Sequence, residues 1–486
     1  MSFSWSSVLV RQSLAATLLA AAGTANAQGS RTPLAPGLTV ITNVHVIPMT
    51  DRAVIRDAAV LVRNGRVERV GPARQVGVPN GARVIDGKGG YLIPGLSDMH
   101  THLYADQYIP DTVGRAEVGV MLANGITTAR LMIGTPAQLA LRRDIEAGRV
   151  LGPNLWTASP HLSGRPDTNA RVVRTPDEGR AAVRELGPAG YDFIKITNFV
   201  PPDAYEAVMD EANKGGFRVD GHINAGVSVA RAAALGQHQQ HLDGWFEEIL
   251  ADSVTTRASL TQYGVYDLKR WPSLEAIDER KIAPLAGRVA RSKVFVTPTL
   301  VLFNTYFAID ASEEAARRLP DWELIPSKFR GAVVKAMANY WSPANLAVRT
   351  PERRARYMEL RNRIVKALAD SGANLVAGSD APDFMMAMGY PLHRELEALV
   401  KAGLSPWQVL SMATRNPADF LGASTEWGTI APGRRADFVL LAGNPLDDIR
   451  HTTRIEATSI GGRWLARAEL DAHVEAARRA INPSPD

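Results

Sequence analysis

A chain of 486 residues, 45% apolar and 22% charged, is long enough for a barrel-sized domain plus a smaller module and has the balance of a globular protein. Its 55 basic and 50 acidic side chains leave a scattered net charge of +5, with no basic run carrying interleaved aromatics, which argues against a nucleic-acid-binding surface. Cysteine is absent, so disulfides, a cysteine-linked lipid anchor and thiolate metal sites are excluded, and any metal must be held by histidine, carboxylate and similar ligands.

The N-terminus reads as an export signal. Arg11 closes a short n-region, Ser13 to Thr24 is small and apolar, and Ala25-Asn26-Ala27 is an A-x-A cleavage pattern before Gln28. The apolar run is too short to span a bilayer, and no later segment reads as membrane-spanning. The expectation is an exported chain, periplasmic or secreted, with a signal peptide at 1–27 and a Pro/Gly-containing linker at 28–37.

Alternating stretches at Leu38–Val46, Ala58–Val62, Arg66–Val70 and Val84–Ile85, with turns at Asn64-Gly65 and Gly87–Gly90, predict a small antiparallel sheet over 38–92. A similar pattern returns at Asp437–Leu441, Glu456–Ser459 and Arg463–Leu465, around Gly461-Gly462. Residues 426–470 are therefore expected to complete one β-sandwich built from both chain ends, leaving 471–486 as a tail.

Between them, 93–425 alternates strand-like and helical patterns, which points to a parallel sheet. Strands are predicted at Gly95–Met99, Thr127–Met132, Asn154–Ala158, Asp192–Thr197, Arg218–Asp220, Gln239–Leu242, Val294–Leu302 and Asn374–Ala377. Helices are predicted at Pro176–Leu186, Pro202–Lys214, Val227–Leu235 and Glu352–Ser371. Eight such units predict an α/β fold, a (β/α)8 TIM-type barrel. Long insertions run from Trp245 to Lys293 and from Asn304 to Gly372, the second rich in aromatics.

His100 and His102 end the first barrel strand, and residues two apart in an extended chain share a face, so both imidazoles can address one ion. Barrel active sites sit at the C-terminal ends of strands. Lys195, His222, His241 and Asp380 fall at corresponding places, and Lys195 lies within an apolar strand, where an unpaired ammonium is costly. Each alone could be a structural hydrogen-bonding residue; the joint pattern points to a metal centre.

The motifs GLSDMHTHL, FIKIT, GHI, QHLDG and GSDAP resemble, in order, the five metal-site motifs of the amidohydrolase superfamily, nearest to its imidazolonepropionase-like and prolidase-like members. GITTAR, VTPTL and GTIAPGRRADFVLLAGNPL match that branch too, and the resemblance covers residues 38–465. It implies two divalent ions, zinc being expected. His100 and His102 would bind the first, His222 and His241 the second, carboxylated Lys195 would bridge them, and Asp380 would complete the first. It further implies attack by a metal-bridging hydroxide, with Asp380 taking the proton and delivering it to the leaving amine. The sequence departs from the pattern in a short Lys195–His222 interval and in Arg130-Leu131, where relatives often carry Arg-Asp.

Candidate substrate contacts are Arg130, which could instead satisfy a barrel carboxylate, His161 after the third strand, and Tyr306 and Phe307 behind the seventh. His238 and His393 read as structural, and His45, His451 and His473 fall away from the site. The function expected is hydrolysis of a C–N bond in a small amide, dipeptide-like or cyclic amide substrate. An esterase or lactonase using the same site is the alternative, ahead of a non-catalytic periplasmic binding protein. A deaminase is disfavoured because such members typically use one metal and usually carry a glutamate near the fifth-strand histidine, and none lies beside His222. A homo-oligomer stays open.

Overall fold

The computed structural model describes residues 32–103, 112–167, 169–253, 268–307, 314, 317–340, 342–383 and 386–482. The signal peptide expected at 1–27 lies outside the described residues. Strands β1 (Leu38–Val46), β2 (Ile55–Arg63), β3 (Arg66–Pro72) and β4 (Arg83–Pro94) open the chain. The barrel region contributes β5 (Leu96–Thr101), β6 (Ile126–Leu131), β7 (Asn154–Thr157), β8 (His161–Ser163), β9 (Ala170–Val172) and β10 (Ile194–Ile196). It continues through β11 (Val219–Gly221), β12 (His238–Gln240), β13 (Phe295–Thr297) and β14 (Asn374–Leu375), and β15 (Phe438–Leu441), β16 (Ile455–Ile460) and β17 (Arg463–Ala466) close the chain.

Both chain ends build one module, in the order β17-β16-β15-β4-β1-β2-β3. The ladder is a single mixed sheet, since β1 and β4 run parallel while the other pairs are antiparallel. A bridge between Arg66 and Arg435 curls it onto itself. Ile41, Val60, Leu92, Phe438, Leu440 and Ala457 fill the inner face, which is why alternate residues of these strands are apolar. Residues 467–481 form a helix whose Leu470, Val474, Ala477 and Ile481 are buried, a 3.6-period stripe in place of the expected tail.

The eight expected barrel strands are β5, β6, β7 and β10 to β14. They lie in two parallel ladders, β5-β6-β7 and β14-β13-β12-β11-β10, the second extended by β8 and β9. Parallel bridges join the ladders at both seams, Ala158 to Phe193 and Thr101 to Ala381. Backbone bonds reinforce the second seam, with Met99 N donating to Ala377 O at 2.9 Å and Asp380 N to His100 O at 2.7 Å. Two local expectations need correction. The apolar run Val294–Leu302 is not one strand: β13 ends at Thr297, Thr299 turns to φ +47°, and a helix begins at Leu300. Apolar residues fill both sides of Thr297-Pro298-Thr299, so periodicity alone cannot separate strand from buried helix. Likewise β12 stops at Gln240, because His241 and Leu242 have φ of +61° and +58°.

Candidate metal centre

All six sequence-derived residues sit in or just beyond the C-terminal ends of barrel strands, and all are buried. His100 lies in β5 and His102 just after it, Lys195 is central in β10, and His222 and His241 immediately follow β11 and β12. Asp380 follows β14 with φ +60°. Two glycines permit the close approach. A Cβ on Gly378 would lie 2.7 Å from both His100 Cβ and N, and one on Gly221 would meet Ile196 O at 2.1 Å.

The histidines converge on one carboxylate. Asp380 Oδ1 lies 3.0 Å from Nε2 of both His100 and His102, and Asp380 Oδ2 lies 3.6 Å from His241 Nδ1. The His100 and His241 rings are 4.5 Å apart, and His222 stacks on His241 at 4.8 Å. Ligand atoms of His100, His241 and Asp380 all fall within 4.8 Å of one another.

Hydrogen-bond partners around the rings fix what several of them present to the centre. Gln240 Nε2 donates to Asp220 Oδ1 at 2.6 Å. Its Oε1 must therefore accept from His100 Nδ1, 2.7 Å away, which leaves the lone pair of His100 on Nε2, toward Asp380. Asp243 accepts from His222 Nδ1 at 2.7 Å and fixes the same tautomer. Thr299 Oγ1 holds His241 Nδ1 at 2.8 Å. His241 Nε2 and His102 Nδ1 are buried without a hydrogen-bond partner. Burial pushes the His100 imidazole down to about 4 and His241 well below its ordinary value, which keeps both rings neutral at neutral pH. Burial works to raise the Asp380 carboxyl, and its nearness to His100, His241 and His102 works to lower it, the lowering prevailing. An ionised carboxylate facing imidazole lone pairs is repulsive unless a cation lies among them. The donor set fits a metal ion.

Lys195 is 3% exposed, and burial pulls its amine down to about 8. Among the described residues its Nζ has no hydrogen bond and no carboxylate within 4.0 Å, although the charges of Asp220 and Asp380 act on it. Beneath the centre, Asp98 ties β5 to the Asp380 loop. It accepts from Ser379 N at 3.0 Å, Ser379 Oγ at 2.6 Å and His100 N at 3.2 Å.

The candidate substrate contacts divide. Arg130 is wholly buried inside the barrel, paired with Asp220 and donating from Nε to Met99 O at 2.6 Å, so it satisfies a barrel carboxylate and is out of reach of a substrate. Phe307 packs edge-on against Trp271 at 5.1 Å and Tyr357 at 5.6 Å, within the core of the insertion. It is no pocket wall, because its ring is already covered. Tyr306 donates to Asp383 at 3.1 Å, three residues beyond Asp380. Burial, against the charge of Asp167, pushes the His161 imidazole down to about 4; its Nε2 lies 3.9 Å from Asp167 and, among the described residues, makes no hydrogen bond. His238 accepts from Phe295 N at 3.0 Å and His393 meets Thr452 Oγ1 at 3.0 Å, structural roles for both. Sequence reasoning missed Gln240, Asp243, Thr299 and Asp98; Gln240, Asp243 and Asp98 lie within two residues of His241 or His100, a proximity that could have flagged them, whereas Thr299 lies near no ligand candidate in the sequence.

A parallel barrel that gathers histidines and a carboxylate at its C-terminal rim is the arrangement of a metal-binding barrel. The model of the amidohydrolase family matches residues 91–465, and the chain belongs to that family. An adenine deaminase of Deinococcus deserti is 25% identical over 428 residues, 86% of this chain and 58% of that relative, so the chain spans under two thirds of its length. Among solved structures, bottromycin amidohydrolase matches with a TM-score of 0.70 at 23% identity, over 92% of this chain and 91% of that one. A Xaa-Pro dipeptidase matches with a TM-score of 0.64 at 18% identity, over 88% and 100%. These structural likenesses establish the fold.

Proposed function

We propose that the chain is a metal-dependent hydrolase of carbon–nitrogen bonds in small amide, dipeptide-like or cyclic amide substrates. The observation that carries this reading is Asp380 set against His100, His102 and His241, with His100 oriented from behind by Gln240 and His241 held at Nδ1 by Thr299. His100, His102 and Asp380 would hold one divalent ion, His222 and His241 another, and Lys195, carboxylated on its amine, both. Zinc suits these nitrogen and oxygen donors. Bound there, the ions would supply Lewis acidity and acidify water.

The chain's own residues do the rest. Carboxylation of Lys195 would start from the neutral amine, whose ammonium first gives up one proton; forming the N–C bond to carbon dioxide releases a second, so that a buried cation becomes an anion. Asp380, 3.0 Å from two imidazoles, is placed to accept a proton from the attacking water and to return it to the leaving nitrogen. His161, the first residue of β8 and close behind β7, is the side chain we assign to the substrate carbonyl.

The test is metal content per chain together with turnover of N-acyl amino acids and dipeptides. Two ions per chain, loss of turnover on chelation and a lower metal content in His100→Asn are expected. Full turnover by a metal-free preparation would refute the reading. The adenine deaminase relative favours one second reading, hydrolytic release of ammonia from an aminopurine. Ammonia from adenine with no cleavage of any amide would establish it in place of the first. Paired ester and amide substrates likewise test the esterase alternative. Export is proposed on the N-terminal pattern alone, and a mature chain beginning at Gln28 would be its signature.

A further inference from the structure

Arg361 is a fully buried arginine in the second insertion, on the helix Pro351–Asp370. It interrupts a stripe of Tyr357, Leu360, Ile364, Val365 and Leu368, where a leucine would fill the space without desolvating a cation. Its guanidinium lies 3.6 Å above the Phe303 ring. From there Nη2 donates to two backbone carbonyls of different loops, His241 O at 3.0 Å and Pro298 O at 3.1 Å.

Those carbonyls flank the hydrogen bond that orients His241. Pro298 precedes Thr299, whose Oγ1 meets His241 Nδ1 at 2.8 Å. Both residues stand in the left-handed region, His241 at φ +61° and the β-branched Thr299 at φ +47°. A β-branched residue at positive φ is strained and persists only where its surroundings over-determine it. Arg361 supplies that constraint on one side. Glu395 supplies it on the other, its Oε2 accepting from Val301 N at 2.7 Å.

We propose that Arg361 is a positioning residue: by clamping the β12 and β13 loops together it sets the His241–Thr299 hydrogen bond and thereby the affinity of the ion at His222 and His241. The proposal rests on the metal-centre reading above and assigns the insertion helix a task beyond covering the barrel.

The experiment measures zinc affinity and ions per chain, by chelator competition, on intact wild type, Arg361→Met, Thr299→Val and the double variant, with circular dichroism and thermal melting alongside. Loss of an orienting partner behind a ligand weakens metal binding by about 10- to 100-fold. Arg361→Met and Thr299→Val should each weaken one ion to that extent and leave the other unchanged. The double variant should bind no worse than Thr299→Val, because both act through one hydrogen bond. Arg361→Lys keeps a cation but not the fork; it guards against misfolding of Arg361→Met and should weaken the same ion about 10-fold. A lower melting temperature with wild-type affinity for both ions, in Arg361→Met or in Arg361→Lys, would overturn the proposal. So would losses that multiply in the double variant. A wild type that binds no zinc sinks the metal-centre reading itself, whereas a wild type with two ions matched by Arg361→Met sinks only the clamp.

Discussion

Arg130 and Asp220 form an ion pair inside the barrel, and the cost of separating them follows from what surrounds them. Arg130 is 0% exposed; besides Asp220 it has Met99 O at 2.6 Å, Thr297 Oγ1 at 3.4 Å and the Phe420 ring at 4.7 Å. No water can take over if the carboxylate is lost. Breaking a buried pair on one side strands the other charge and costs about 3–5 kcal/mol, a large part of a fold's total of roughly 5–15 kcal/mol. Asp220→Leu and Arg130→Met should each lower stability by that amount. In the double variant Arg130→Met/Asp220→Leu the stranded charge is gone. What persists is the Gln240 amide that Asp220 accepted from, an orphan worth about 1–3 kcal/mol. The double variant should therefore be more stable than either single variant, with a coupling of several kcal/mol between the sites. Urea midpoints read by tryptophan fluorescence at fixed metal concentration measure this. Additive losses would refute the electrostatic argument. A raised KM for acidic substrates at an unchanged midpoint would return Arg130 to substrate binding.

Burial raises the Glu395 carboxyl from its ordinary 4.5 to about 8, against the bonds from Val301 and Leu300 that work to lower it. The folded chain then binds more protons than the unfolded one between those values, so this group's contribution is full below pH 4.5 and is lost as the pH rises through 8. Glu395→Gln should consequently be more stable than wild type at alkaline pH and not at acid pH; a pH-independent difference in urea midpoint would count against the shift. Phe307→Ala should lower stability by about 3–5 kcal/mol and change KM equally for aromatic and small amides, because the ring packs on Trp271 and Tyr357. A KM effect confined to aromatic substrates, with stability intact, would restore Phe307 as a pocket wall.

Much of the barrel was legible because strand-end chemistry is local. Asp380 follows the apolar run ending at Ala377, and the alternation in β5 alone places the imidazoles of His100 and His102 on one face. The module strands were equally readable, since Asn64-Gly65 and Gly461-Gly462 mark their turns. Parallel pairing of β1 with β4 was not, because pairing partners leave no trace in a single strand's pattern. The misread run at Val294–Leu302 failed for a related reason: apart from half-buried Phe295 its residues are all buried, and Thr299 is not a residue that announces a left-handed turn.

The two buried arginines show where local reading ends. Arg130 follows a strand-like run near the site and invited a substrate role; Arg361 sits in an insertion among exposed basic residues and invited none. A guanidinium is always charged and always a donor, so its task is set by the acceptors it faces. For Arg130 these are a carboxylate and a β5 carbonyl, both in the barrel interior; for Arg361 they are carbonyls beside His241 and Thr299. Asp220, which holds Arg130, also orients Gln240 and through it His100. The barrel interior and the insertion helix thus press on opposite sides of the same ring of histidines. Substitutions in either should reach the metal centre without touching a ligand, and by separable routes, His100 from within and His241 from without.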